Sequence, residues 1–342
     1  MAARRETPLR FAVIGCGSIG QRHVRNLVAL DAGEVVAFDV REDRRRDVAS
    51  RFGIEVPDRL DEVWRRGPDA VVVAVPPHAH VPLALQAAAR GCHLFIEKPL
   101  SDRWDGTEEL LDAVRARGLV TLVGCNMRFH PGLVTVKKLL EDGAIGRVVA
   151  GRAEVGQYLP DWRPAEDYRQ AYSARRDQGG GVILDAIHEL DYLRWMLGDV
   201  GEIACFSGRL GRLEIDTEDT AAMLLRFTSG AIGEVHLDYL QRAYSRTCHL
   251  IGEEGTIRWD YSAGEVRCYT ASERRWRSWA NPAGWEPNHM YIDEIRHFVE
   301  CLTRDAHPAA DVFEAAQVLK IALAAKTSAR SGGVVRLEGS QG

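Results

Sequence analysis

The sequence predicts an α/β chain. A doubly wound parallel sheet occupies its amino end, and an α+β domain with a large, open, mostly antiparallel sheet follows. Three observations lead there. Short apolar runs alternate with helical stretches up to about residue 127, and that rhythm with short connections marks βαβ units. After about residue 147 apolar and polar residues alternate over long stretches, as in a sheet covered on one face only. A glycine-rich turn directly follows the first apolar run.

Taken in order, LRFAVIG (9–15) reads as a buried parallel strand, and a helix pattern continues to about 32. EVVAFDV (34–40) is a second strand, and the charged residues 41–52 are helical. DAVVVAVP (69–76) is a third strand, stopped by two prolines, before an alanine- and leucine-rich helix at 79–90. HLFIEKP (93–99), a helix at 105–117 and VTLVGCNM (120–127) complete the alternation. Residues 1–127 therefore form the first domain and 128–342 the second, whose last helices (about 288–303 and 311–329) are free to pack back on the first. RVVAGRAEVGQY (147–158) and parts of 220–240, 247–261 and 265–271 supply the antiparallel strands.

Composition narrows the class. The 342 residues are 46% hydrophobic and 27% charged, with net charge −5, enough for two ordinary cores. No basic footprint for nucleic acid is present. No apolar run reaches the roughly 18–20 residues of a membrane span, and no secretory apolar region follows the N-terminal arginines. Seven cysteines without a CxxC pair read as small residues of a reduced, cytoplasmic protein, with Cys16, Cys92 and Cys125 buried. No metal-ligand set stands out.

VIGCGSIGQRH places Gly15, Gly17 and Gly20 between the first strand and a helix start. This is the GxGxxG context that binds a dinucleotide. Gly15 permits the turn, Gly17 admits a pyrophosphate, and Gly20 lets helix pack on strand. The backbone at Ser18 and Ile19 opens the helix, whose N-terminus favours an anion. Asp39 ends the second strand about 20 residues on, where a carboxylate meets ribose hydroxyls. The module is a Rossmann domain, and Asp39 favours NAD. Arg41, Arg44 and Arg45 close behind would tolerate a 2′-phosphate, so NADP stays open. The carboxyl edge of the sheet also offers Val75, Pro76 and His80 to the cofactor, and Glu97 and Lys98 in FIEKPL. The plain alternative for His80 is a helix-entry residue. Lys98 is either a donor to a carbonyl or alkoxide oxygen or a solvated strand-end lysine.

GVILDAIHELDYLRW (181–195) reads as one helix with Asp185, His188 and Asp191 recurring every three residues. On a continuous helix His188 sits about 60° from each aspartate. A neighbouring carboxylate there would orient the imidazole as a general base. A solvated polar face is the alternative.

Together GCGSIG, the acidic end of strand two, EKP, and GGGxxxDxxHxxD with a following Trp and Gly resemble the Gfo/Idh/MocA family of nicotinamide-dependent oxidoreductases, from about residue 9 to 330. The resemblance implies oxidation of a hydroxyl, or reduction of a ketone, on a sugar, sugar derivative or cyclitol. It implies Lys98, Asp185 and His188 as catalytic residues. The family's usual spacing between that aspartate and histidine is four residues; here it is three. Asp185 and His188 are still expected to project from one side of the helix.

The connection 156–178 is long and aromatic, as functional loops are. Tyr158, Trp162 and Arg163 in it are expected at the substrate, with Asn126, Arg128, His188 and Tyr291. Aromatic faces suit the apolar side of a sugar or inositol ring. The resemblance also implies a homodimer or homotetramer packed through the C-terminal sheet, to which Trp259 and Tyr261 are expected to contribute. Two other readings stay open: an NAD-dependent glycosidase that oxidises its substrate transiently, and a non-catalytic cofactor-sensing regulator.

Overall fold

The computed structural model describes residues 8–162, 164, 166–304 and 306–337. The chain divides into two compact units. One comprises residues 1–126 and 286–316, the other 127–285 and 317–342.

The first unit alternates β1 (Arg10–Ile14), α1 (Ser18–Ala29), β2 (Glu34–Phe38), α2 (Glu42–Phe52), α3 (Leu60–Arg65), β3 (Ala70–Val73), α4 (His80–Ala89), β4 (His93–Ile96), α5 (Thr107–Arg117) and β5 (Thr121–Val123). The five strands pair in parallel in the order β2-β1-β3-β4-β5. The chain therefore reverses its winding between β1 and β3, the place where such sheets open a crevice at their carboxyl edge. Beyond β2 one further parallel bridge joins Val36 to Glu55. Counted as a strand, it brings the sheet to the six of dinucleotide-binding folds. The alternating pattern does not reveal it, because a single bridge has no periodicity.

Strands buried on both faces need apolar residues throughout. All four residues of β3, Ala-Val-Val-Val, are fully buried.

The second unit contains α6 (Pro131–Glu141), β6 (Val148–Gly156), α7 (Val182–Asp185), α8 (His188–Leu197), β7 (Val200–Gly208), β8 (Thr220–Phe227), β9 (Ile232–Asp238), β10 (Ser245–Gly252), β11 (Gly255–Asp260), β12 (Glu265–Thr270) and β13 (Arg275–Ala280). Helix α9 (Asn288–Arg304) belongs to the first unit, and α10 (Val312–Ser331) precedes the short β14 (Val335–Arg336). The nine strands run β13-β12-β11-β10-β6-β9-β8-β7-β14. All neighbours are antiparallel except β6 and β9. Helices α6, α7 and α8 cover one face. Burial alternates accordingly: Ala221, Met223, Leu225 and Phe227 of β8 are buried, whereas Ala222, Leu224 and Arg226 are exposed. Trp259, expected on the open face, lies on the helix side, fully buried against the rings of His130 and Tyr192.

Helix α9 brings Ile295 and Phe298 into the first unit's core, with Phe298 edge-on to Phe95. Its first turn lies against α1. Asn288 bonds Asn26 and Arg25, and the Arg22 guanidinium stacks on Tyr291. All seven cysteines are buried, and none forms a disulfide. Among the described residues, no helix is long and apolar enough to cross a membrane.

Candidate active site

The first unit carries the glycine turn and the residues expected at the cofactor. Gly15 has φ +102°, and a side chain there would start 2.3 Å from the carbonyl oxygen of Ala74. At Gly20 it would start 1.8 Å from the Gly15 oxygen. Neither position admits a Cβ. Gly17 has extended backbone and open space before it, with Arg44 as its nearest neighbour at 3.7 Å. Gly17 also caps α1 without a side-chain hydrogen bond, and the first turn carries no acidic residue. The leading N–H groups at Ser18 and Ile19 thus have no acidic partner within their own turn. That cradle fits a pyrophosphate.

Asp39 is 5% exposed and accepts from the Cys16 and Arg41 backbone N–H groups, each at 2.8 Å. It thereby ties the end of β2 to the glycine turn. Arg44 stands 3.5 Å from its carboxylate, and Arg45 donates to the Asp39 and Val40 carbonyls. A carboxylate has about four acceptor sites, so capacity remains for ribose hydroxyls. The residues present fit the dinucleotide.

Val75 and Pro76 are half-buried after β3. His80, expected at the cofactor, is instead buried, with Nε2 on the Val75 oxygen at 2.7 Å and Nδ1 on the Pro99 oxygen at 2.8 Å. Burial lowers its pKa below 6.5 although both carbonyl contacts favour the charged ring, and the ring is held between the exits of β3 and β4. Glu97 is buried. Its Oε1 lies 2.6 Å from His23 Nε2, and its Oε2 accepts from the Lys98 N–H at 3.2 Å. Burial raises its pKa, but the His23 hydrogen bond together with the charges of His23, Lys98 and His80 holds the carboxyl below 4.5. Lys98 is half-buried beside it, ahead of a cis bond to Pro99. Tyr291 senses the charges of Arg22, Glu97, Lys98 and Glu294, but burial dominates and raises its hydroxyl pKa. Asn126 is buried and opens a short helical turn, Asn126–Phe129.

In the second unit one expectation fails. Residues 181–195 are two helices, not one. α7 ends at Asp185, Ala186 leaves helical geometry (φ −94°, ψ +36°), and α8 starts at His188. Side chains across that break do not follow a continuous 100° screw, so the shared-face argument does not apply. Each acidic residue has its own anchor. The Asp185 carboxylate, 3% exposed, accepts hydroxyls from Tyr172, Ser173 (2.6 Å) and Tyr239 (3.1 Å). Burial, then the Asp185 charge, pushes the Tyr239 hydroxyl well above 10.0, which keeps it a donor. Glu189 pairs with Arg246 at 2.8 Å. Asp191 takes two arms of Arg128, Nη2 at 2.7 Å and Nε at 3.0 Å, with both side chains buried. Arg128 was expected to meet substrate; its guanidinium is occupied in holding α8. His188 is 8% exposed with Nδ1 buried, so Nε2 is the nitrogen able to meet a substrate.

In the long connection, Trp162 stands edge-on to Tyr239 at 5.4 Å, and the Arg242 guanidinium stacks on Tyr158 at 3.6 Å. Arg163 lies outside the described residues. The segment is anchored in its own unit, since the Ser173 oxygen accepts from Gly181 N and Thr217 Oγ1. Sequence reasoning missed His23, Ser173, Tyr239, Arg246 and the bond from Tyr172 to Asp185. All act across distances in sequence that no local motif spans. The shortened spacing between Asp185 and His188 was the one signal of the helix break.

An anion cradle with a buried carboxylate placed to meet a ribose, and a lysine at the same sheet edge, fit a nicotinamide-dependent oxidoreductase. Residues 9–125 match the oxidoreductase family with the NAD-binding Rossmann fold, and residues 133–258 match the GFO/IDH/MocA C-terminal domain. The chain is 29% identical to the myo-inositol 2-dehydrogenase of Thermotoga maritima, over 96% of this chain and 99% of that one. It is 30% identical to inositol 2-dehydrogenase 3 of Saccharopolyspora erythraea, over 84% and 86%. Among solved structures it resembles GenD2 from gentamicin A biosynthesis in complex with NAD, at TM-score 0.83 and 27% identity over 97% of each chain. The chain belongs to the GFO/IDH/MocA family of NAD-dependent oxidoreductases.

Proposed function

We propose that this chain oxidises a secondary alcohol of a sugar, sugar derivative or cyclitol, or reduces the corresponding ketone. The observation that carries the reading is that one chain holds both Lys98 at the edge of the cofactor sheet and His188 at the head of a pinned helix. The inositol dehydrogenases among its relatives support the substrate class. When bound, NAD supplies the hydride acceptor. His188 takes the hydroxyl proton at Nε2 as the carbon gives up hydrogen and two electrons, leaving a ketone. Lys98 donates to the same oxygen and stabilises its developing charge. Asp185, whose carboxylate accepts from three hydroxyls, shapes the polar surroundings rather than abstracting a proton itself.

A screen of cyclitols, sugars and sugar acids with NAD and NADP, read by absorbance of reduced nicotinamide, tests this. A member of those classes should give stoichiometric reduced cofactor; free sugar released without net reduction would indicate the glycosidase reading instead. Asp39→Ala is expected to lower the preference for NAD over NADP by about tenfold, measured as the ratio of kcat/KM values. An unchanged ratio would remove Asp39 from cofactor selection.

The chain is further proposed to form a homodimer or homotetramer through the open face of the nine-stranded sheet. One row on that face runs Arg226, Ile232, Ala150, Ile251, Thr256, Tyr269, Trp276 across seven strands. Phe206 and Leu224 on the same face are 82% and 56% exposed. An apolar surface of that kind calls for a partner. Light scattering at micromolar concentration should return two or four times the chain mass, and a monomer would reject the assembly.

A further inference from the structure

The buried pair of His23 and Glu97 has no place in the reaction as described, yet it links the cofactor helix to the lysine. His23 lies on α1, three residues past Gly20, and Glu97 directly precedes Lys98. The imidazole is fully buried, edge-on to Phe95 at 4.8 Å, and Nδ1 has no hydrogen-bond partner among the described residues. Nε2 meets the Glu97 carboxylate at 2.6 Å. An acceptor-only carboxylate requires the proton on Nε2, so His23 donates. The other carboxylate oxygen accepts from the Lys98 N–H. Gly124 lies against the carboxylate: a Cβ there would sit 3.1 Å from Oε2, tighter than ordinary contact, so a larger residue would require the carboxylate to shift by a few tenths of an ångström.

We propose that His23 and Glu97 are positioning residues that fix Lys98 in place. The carboxylate is clamped between an imidazole N–H and a peptide N–H, and its charge faces the lysine that follows it. The titratable groups around it are Lys98 on its own segment, His23 on α1, His80 at the head of α4, and Tyr291 on α9. Of these, only His23 donates a side-chain hydrogen bond to the carboxylate among the causes of its depressed pKa. Without that donor the carboxylate is buried with a single peptide N–H, and burial then favours its protonated form. A protonated Glu97 no longer offers the lysine a counter-charge. This inference rests on the catalytic role proposed for Lys98.

The test compares His23→Leu, His23→Gln, Glu97→Gln and Lys98→Met between about pH 6 and pH 9. Far-ultraviolet circular dichroism and NAD titration by fluorescence report folding and cofactor binding. In His23→Leu, kcat should fall about 10²-fold toward the acid end, recovering as pH rises, with NAD affinity and substrate KM unchanged. Glutamine at 23 restores a donor N–H near the Nε2 position, so His23→Gln should recover the wild-type profile. Glu97→Gln should show the acid-end loss at every pH. Wild-type kcat profiles in both His23→Leu and Glu97→Gln, with Lys98→Met slow, would overturn the positioning role and leave the lysine's role standing. A fully active Lys98→Met would instead overturn the reading on which it rests. If His23→Leu does not fold, Glu97→Gln decides: a pH-independent loss of kcat supports the pair's role, and wild-type turnover refutes it.

Discussion

Replacing His188 by alanine is expected to lower kcat by about 10²–10⁴-fold while NAD binds as in the wild type. The division of labour in the chain sets this result. The glycine turn, the uncapped start of α1 and Asp39 all lie in the first unit and owe nothing to residue 188. His188 begins α8, a helix fixed by two buried ion pairs within its first four residues, Glu189 with Arg246 and Asp191 with Arg128. Asp185 does not replace the lost base, because three hydroxyls already bond its carboxylate. Steady-state kinetics and a fluorescence titration with NAD measure the two quantities separately. Retention of wild-type turnover would remove His188 from the chemistry.

Replacing Asp191 by alanine is expected to destabilise the fold by about 3–5 kcal/mol, because it strands a buried guanidinium. Both side chains of the Arg128–Asp191 pair are almost wholly withdrawn from water, 2% and 0% exposed. Arg128 Nη2 and Nε hold the two carboxylate oxygens, and the guanidinium also lies over the Trp195 ring at 5.7 Å. The cost arises from the partner left behind rather than from the bond itself. The double replacement Arg128→Met, Asp191→Leu removes both charges and should recover most of the loss. Urea unfolding of the three proteins measures this. A loss below about 1 kcal/mol in Asp191→Ala would place the pair among solvent-screened bridges and return Arg128 to the substrate.

Local patterns carried most of the fold. β1 to β5 and their helices follow from apolar runs and glycine punctuation. The glycine turn and Asp39 were legible because their spacing is set by a single βαβ unit. Features that depend on a remote partner were not. His23 is an ordinary helix residue until Glu97, 74 residues further on, is placed against it. Arg128 read as a pocket residue because a basic group after a strand end suggests a ligand; its partner on α8 lies 63 positions away. The apolar run through 181–195 continues across Ala186 and Ile187, so periodicity alone predicted an unbroken helix where the backbone leaves helical angles. Trp259 alternates correctly along β11, yet alternation does not say which face the helices cover.

The central claim is that Lys98 and His188 serve the same substrate oxygen during hydride transfer. It is tested most directly by the single-turnover rate of reduced-nicotinamide formation in Lys98→Met, His188→Ala and the double variant. Groups that act as a unit lose their effect together, so the double variant should be about as slow as the slower single one. Losses that multiply, or a wild-type rate in either single variant, would contradict the account.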